Sequence, residues 1–235
     1  MKYPFTLLAL VLFCYTSCSS SKSGWEVFDL KGKVSSFSET IFSASLEKTN
    51  GWMKEQETIA GPNIFQFSEH GDYLGMEQYQ DGELWQTSTT QMENGKIKSW
   101  RVVDADGVLV SEQKILTETS RYREMEMYDE AGNLQSRHKH QLRNGLMIAE
   151  EIIFYRPNGE VEFEQQSNYQ HNSAGLMTGF TQNISFDDQL RNYAVEYLAF
   201  DETGNWTEKI IYRLGQENMR TSSGQYFERE IEYYE

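Results

Sequence analysis

Residues 128–134 read YDEAGNL, and residues 200–206 repeat the pattern as FDETGNW. In both stretches an aromatic residue is followed by three mostly polar residues, a glycine, one further residue and an apolar residue. Asp favours the start of a tight turn, and glycine accepts the positive φ that tight turns require. The two stretches therefore predict β-hairpins, in which the flanking residues end one strand and begin the next.

The same spacing recurs along the chain, which makes the hairpin a repeating unit. Shorter Asp-Gly and Asn-Gly turns at 80–82, 93–95 and 143–145 lie between the longer ones, and they are strong hairpin signals as well. Successive glycines lie about 12 residues apart over much of the chain, which suits one strand plus one turn. The further copies of the longer unit are residues 28–34 (FDLKGKV), 67–73 (FSEHGDY), 103–109 (VDADGVL) and 155–161 (YRPNGEV).

The segments between the turns alternate as half-buried strands do. Val161 and Phe163 alternate with Glu160, Glu162 and Glu164, so this strand is predicted to have one dry and one wet face. The sequence predicts an all-β fold, an antiparallel meander of roughly a dozen short strands with glycine hairpin turns. We expect an open curved sheet or a partial barrel with little helix, and residues 214–225 are where a helix fits best.

The units at 128–134 and 200–206 resemble the YD repeat of bacterial cell-surface and Rhs-type proteins. Their spacing is also similar to that of MORN-like repeat proteins and of uncharacterised Bacteroidetes lipoproteins. Those lipoproteins often end with a GNW turn followed by an aromatic strand, as residues 204–206 and 230–234 do here. The resemblance covers residues 60–235 and implies β architecture and an envelope location, but no catalytic mechanism.

The N-terminus carries an export signal. Lys2 gives a basic start, and residues 5–13 (FTLLALVLF) form an apolar run of signal-peptide length that is too short to span a bilayer. Residues 15–18 (YTSC) resemble a bacterial lipobox, which implies that Cys18 is lipidated and becomes the new N-terminus. Ordinary signal cleavage near Ser17 or Ser20 is the alternative.

The predicted organisation is a signal peptide at 1–17, a lipid-anchored tether at 18–24 and a β-hairpin repeat domain at 25–235. An acidic stretch just after the cysteine marks surface export in Bacteroidetes lipoproteins, and no such stretch follows Cys18. We therefore expect an outer-membrane lipoprotein that faces the periplasm. Because Cys14 and Cys18 are the only cysteines, the domain has no disulfides and must depend on its hydrophobic core.

The charge balance excludes one class of partner. The chain has 36 Asp and Glu against 21 Lys and Arg, for a net charge of −15. Nucleic acid binding needs clustered basic residues, and this sequence has no basic block. An acidic surface also disfavours adsorption on anionic lipid, so membrane attachment depends on the lipid anchor.

No catalytic site, cofactor or metal site is predicted. The G-x-S-x-G and H-E-x-x-H motifs are both absent. His138 and His140 share one strand face and could present two imidazoles to a metal, but the sequence assigns no third ligand, so a solvated surface pair is preferred. Residues 104–107 (DADG) contain a fragment of a calcium loop and are better explained as a turn.

Aromatic residues are the remaining resource for recognition, with 14 Tyr, 13 Phe and 5 Trp. Most of them fill the core, but Trp85 and Trp100 have mostly polar neighbours and are predicted to lie on an exposed face that binds a ligand. The leading hypothesis is a non-enzymatic envelope lipoprotein that serves as a β-repeat binding or scaffold module for a protein or glycan partner. The first alternative is a half-barrel carrier of an apolar ligand or lipoprotein. The second is a carbohydrate-active enzyme, which would use a pair of the many carboxylates.

Overall fold

The structure is a computed structural model that describes residues 23–47, 51–93 and 96–235. In these residues, helix α1 spans Gly24–Val27 and a single 3-10 turn spans Gln216–Asn218. All other regular secondary structure in these residues is β-strand. The strands, in chain order, are β1 (Val34–Glu47), β2 (Gly51–Phe67), β3 (Tyr73–Gln80), β4 (Glu83–Glu93), β5 (Lys96–Asp104), β6 (Leu109–Glu118), β7 (Tyr122–Asp129), β8 (Leu134–Arg143), β9 (Leu146–Tyr155), β10 (Val161–His171), β11 (Met177–Ile184), β12 (Asp187–Phe200), β13 (Trp206–Leu214) and β14 (Arg220–Tyr233).

The sheet is a closed barrel. Each strand pairs antiparallel with its neighbours in sequence, and β1 also pairs with β14. The expected all-β antiparallel meander with little helix is confirmed, but the expected open or partial sheet is wrong. Closure gives backbone partners to the two strands that would otherwise be exposed edges.

The YDEAGNL unit forms the predicted turn between β7 and β8. Asp129 Oδ1 accepts hydrogen bonds from the backbone N–H of Ala131 at 3.0 Å and of Asn133 at 2.8 Å, and Asn133 Nδ2 donates to Asp129 Oδ2 at 2.9 Å. The hydrogen bonds from Asn133 are the main reason that the pKa of Asp129 lies below its usual value. Gly132 has a φ of +83°, which residues with a Cβ rarely adopt.

Four other turns repeat this arrangement. In each, the side-chain oxygen of the first turn residue accepts the backbone N–H four residues later, and these first residues are Ser68, Asp104, Asn172 and Asp201. The turn at Asn172 is missing from the predicted repeats, because His171 stands where the pattern has an aromatic residue. Within 214–225, where a helix was expected to fit best, the structure has only the 3-10 turn Gln216–Asn218, since β13 ends at Leu214 and β14 begins at Arg220.

Residues 23–33 cross one end of the barrel. Because the strand number is even and all neighbours are antiparallel, β1 begins and β14 ends at this same end, which we call the plugged end. Phe28 packs edge-on against Phe65 and Phe67, with ring centroids 5.3 and 5.5 Å away. At the β12–β13 turn, the backbone N–H of Lys31 donates to Asn205 Oδ1 at 2.6 Å, and Asn205 Nδ2 donates to the carbonyl of Lys31 at 2.9 Å.

The outer wall of β7 to β10 is charged. Arg137 Nη2 pairs with Glu126 Oε1 at 2.5 Å, and Lys139 Nζ pairs with Glu151 Oε1 at 2.5 Å. On β10 the predicted wet face is confirmed, because Glu162 and Glu164 are exposed while Phe163 is buried.

No described helix is long and apolar enough to cross a bilayer.

Candidate functional site

The residues predicted to bind a ligand through aromatic stacking do not share a location. Trp85 is 43% exposed, as expected for a surface residue, and its binding role stays a prediction. Trp100 is only 5% exposed and belongs to the core cluster that includes Phe28 and Phe37. Its predicted exposure is wrong, because closure of the sheet turns this face of β5 into the barrel interior. Cys18, the predicted lipidation site, lies outside the described residues.

The histidine pair lies on one face of β8, but that face is the barrel interior. His138 is 2% exposed and His140 is 1% exposed, so the predicted solvated surface pair is wrong. Burial lowers the pKa of His138 to about 4, and this effect outweighs the opposing attraction of Glu150. The imidazole of His138 is therefore neutral at pH 7 and keeps one nitrogen lone pair.

A row of polar side chains crosses the interior at the level of His140. Arg123, on β7, has no exposed surface, and its Nε donates to Glu118 Oε1 at 3.0 Å while its Nη2 contacts the same oxygen. A charged side chain is usually buried only when a charge of opposite sign is packed against it. Successive register partners in this row are Glu118, Arg123, His140, Glu150, Ser167 and Gln182.

Three side chains in this region converge. The ring nitrogens of His138 and His140 and a carboxylate oxygen of Glu150 lie within 4.8 Å of one another, and within the described residues they form the group able to hold a metal ion. Nε2 of His140 lies 3.2 Å from Oε1 of Glu150. Nε2 of His138 lies 2.9 Å from Oγ of Ser136, and the hydroxyl of Tyr169 donates to Oε2 of Glu150 at 2.8 Å.

Glu150 enters this group through a register shift in the β8–β9 hairpin. Arg143 pairs with Leu146 and Leu142 with Met147, but a shift of one residue then places His140 opposite Glu150. In a regular hairpin His140 would face Ala149, and Glu150 would point to the outer wall opposite Lys139. The sequence alone does not identify Glu150 as the third residue of this group, because the alternation of polar and apolar residues does not reveal where a bulge lies.

A second buried charge cluster lies between β1, β13 and β14. Arg229 Nε donates to Glu39 Oε2 at 2.9 Å, and the guanidinium carbon lies 3.6 Å from the ring centroid of Trp206. Lys209 Nζ lies 3.9 Å from the centroid of the same ring. Burial lowers the pKa of Lys209 to about 8, with Glu39 acting in the opposite direction. Because both cations pack against the ring of Trp206, we regard this cluster as part of the core packing.

Large exposed apolar side chains lie near the two ends of the barrel. At the end opposite the plug, Phe186 is 69% exposed and packs edge-on against Phe163 at 5.4 Å, and Phe163 stacks on Phe154 at 4.3 Å. We define the far-end rim by six large apolar residues that are exposed in or beside the turns at this end, namely Leu84, Trp85, Val108, Val161, Phe186 and Met219. At the plugged end the exposed residues are Leu74, Met92, Leu116, Leu198, Phe200 and Tyr233.

No family model and no curated protein matches this chain. Among solved structures, it is similar to a porin-like protein from Bacteroides vulgatus ATCC 8482, with a TM-score of 0.46 and 10% identity over 82% of this chain and 97% of that chain. It is also similar to a porin-like protein from Bacteroides uniformis ATCC 8492, with a TM-score of 0.47 and 11% identity over 86% of this chain and 99% of that chain. These descriptions belong to those two proteins and assign no function to this chain.

Proposed function

We propose that this chain is a non-enzymatic, lipid-anchored protein of the bacterial envelope that binds a partner protein at its far-end rim. The observation that carries the proposal is the position of the N-terminal segment. Residues leading from the predicted anchor enter the barrel at the plugged end, where Ser23 lies against Gly71 in the β2–β3 turn. The rim therefore lies at the end of the barrel farthest from the anchor.

The tether is short enough to keep the plugged end near the membrane. The five residue-to-residue steps from Cys18 to Ser23 span at most about 18 Å when the chain is fully extended. A lipidated Cys18 thus keeps the plugged end close to the bilayer, where exposed apolar residues such as Leu74 and Phe200 face the membrane interface. The far-end rim then projects into the aqueous phase.

A protein fits the far-end rim better than a glycan does. The rim combines Trp85 and Phe186 with aliphatic side chains such as Val108 and Val161, and mixed aromatic and aliphatic surface is typical of the apolar centre of protein interfaces. The net charge of −15 favours a partner with basic residues around its contact surface. The apolar-ligand carrier is supported less, because the interior row contains Arg123, His140 and Glu150.

Photo-crosslinking in intact membranes tests the proposal. A photoreactive amino acid replaces Trp85 or Phe186, and a matched control replaces Gln166, which is exposed on the outer wall of β10. We expect both rim positions to cross-link to the same discrete protein and Gln166 to give no such product. Absence of a product at both rim positions, or an equal yield at Gln166, would contradict a partner site at the rim.

A further inference from the structure

We propose that the interior wall formed by β8 and β9 binds one divalent transition-metal ion through His138, His140 and Glu150. This site is separate from the far-end rim, and it does not depend on the partner proposed there. The three side chains are almost completely buried and come from adjacent strands, so the sheet itself positions them. Their nitrogen and oxygen ligand atoms lie within 4.8 Å of one another.

The spacing of two of these atoms matches that of ligands on one ion. Zinc binds imidazole nitrogen and carboxylate oxygen at about 2.0 to 2.2 Å, so neighbouring ligands of a tetrahedral ion lie about 3.3 Å apart. Nε2 of His140 and Oε1 of Glu150 are 3.2 Å apart. Nε2 of His140 forms no hydrogen bond within the described residues. The two atoms therefore have the separation of two ligands on one ion, and they do not form a hydrogen bond with each other.

The other polar atoms of two ligands are held by neighbouring side chains. Ser136 Oγ lies 2.9 Å from Nε2 of His138, and this contact orients the ring. The hydroxyl of Tyr169 donates to Oε2 of Glu150 at 2.8 Å, which leaves Oε1 on the side of His140. Metal-binding histidines and carboxylates are usually oriented by such outer partners.

The charge of the site favours a cation. The guanidinium of Arg123 lies beside His140 in the sheet register, and two of its nitrogens contact Glu118. The buried carboxylate of Glu150, which is 3% exposed, would attract a divalent ion bound beside it. Two imidazoles and one carboxylate suit Zn²⁺ and other first-row transition metals, whereas Ca²⁺ and Mg²⁺ prefer oxygen ligands throughout.

Metal titration of the purified chain, processed as it is in the cell and stripped with a chelator, tests the site. We expect isothermal titration calorimetry to show one Zn²⁺ per chain, and Co²⁺ to give the visible absorption bands of a tetrahedral ion. His140→Gln and Glu150→Gln should each weaken Zn²⁺ binding by at least about 100-fold, and Ser136→Ala by about 10- to 100-fold. His70→Gln is the matched control, since His70 is exposed in the β2–β3 turn, and it should bind as the unaltered protein does.

Two results would overturn the site. One is the absence of stoichiometric Zn²⁺ binding by the unaltered protein, and the other is retention of full affinity by both ligand variants. Should a ligand variant fail to fold, as circular dichroism would show, the unaltered protein still decides the question through its thermal unfolding. Zn²⁺ bound only by the folded state must raise the unfolding temperature, and an unchanged temperature at saturating Zn²⁺ contradicts the proposal.

Discussion

Lys209 shows how burial in the barrel interior changes the pKa of a single side chain. Its ammonium lies 3.9 Å from the ring centroid of Trp206 and 4.7 Å from that of Phe227, and the residue is buried. Burial lowers the pKa of Lys209 to about 8, while Glu39 and Asp29 raise it and Arg229 lowers it further. The folded protein therefore releases this proton at a lower pH than the unfolded chain does.

The pH dependence of stability tests this position. Between about pH 8 and the ordinary lysine pKa of about 10.4, the unfolded chain binds more protons than the folded one, so the free energy of unfolding rises with pH. Lys209→Met removes this contribution. From pH 7 to 9.5 we expect the stability of the unaltered protein to gain about 2 kcal/mol relative to Lys209→Met in urea denaturation. Lys98→Met, at an exposed site, is the control, and a pH-independent difference for Lys209→Met would refute the assignment.

The candidate metal ligands show how far single residues can be predicted. That His138 and His140 share a strand face follows from their spacing, because side chains alternate along a strand. Their burial does not follow, because the remaining residues of β8 are largely polar on both faces. Glu150 depends on the register shift in the next hairpin, and Trp100 is buried only because the sheet closes. Each of these positions is set by contacts between strands.

At the scale of elements, the turns are the best predicted part of the fold. Asp129 and Gly132 specify their turn through local hydrogen bonds and a positive φ, so no distant contact is needed. The plug of residues 23–33 is different, because its conformation is set by packing on β1 to β3 and by Asn205. The FDLKGKV unit at 28–34 ends at the first residue of β1 and forms no hairpin, although its spacing matches the repeat.

Truncation of Phe28 tests how strongly the plug is held. Phe28 is 8% exposed and contacts four aromatic rings at the plugged end, those of Phe37, Phe65, Phe67 and Tyr73. Phe28→Ala should lower the free energy of unfolding by about 3 to 5 kcal/mol, because it removes a buried ring and leaves a cavity. Phe186→Ala at the exposed rim should change it by less than about 0.5 kcal/mol. Equal, small effects of the two substitutions would mean that the plug does not contribute to the core.

At the scale of the whole molecule, closure creates the features on which both proposed sites depend. It gives the barrel an interior that holds the plug and the His138, His140 and Glu150 group, and it separates the plugged end from the far-end rim. The sequence predicts the meander, because each hairpin is local. It does not predict closure, because β1 and β14 lie at opposite ends of the sequence and their pairing carries no turn signal.

Cysteine cross-linking of β1 to β14 tests closure most directly. Thr40 and Glu228 are register partners across the closing seam, and partners in a sheet have Cβ atoms about 5 Å apart. The control pair is Lys114 and Glu126, which are register partners in the β6–β7 hairpin and would stay adjacent in an open sheet. After mild oxidation, peptide mass spectrometry should detect a disulfide in both Thr40→Cys/Glu228→Cys and Lys114→Cys/Glu126→Cys. A disulfide in the control pair alone would contradict the closed barrel.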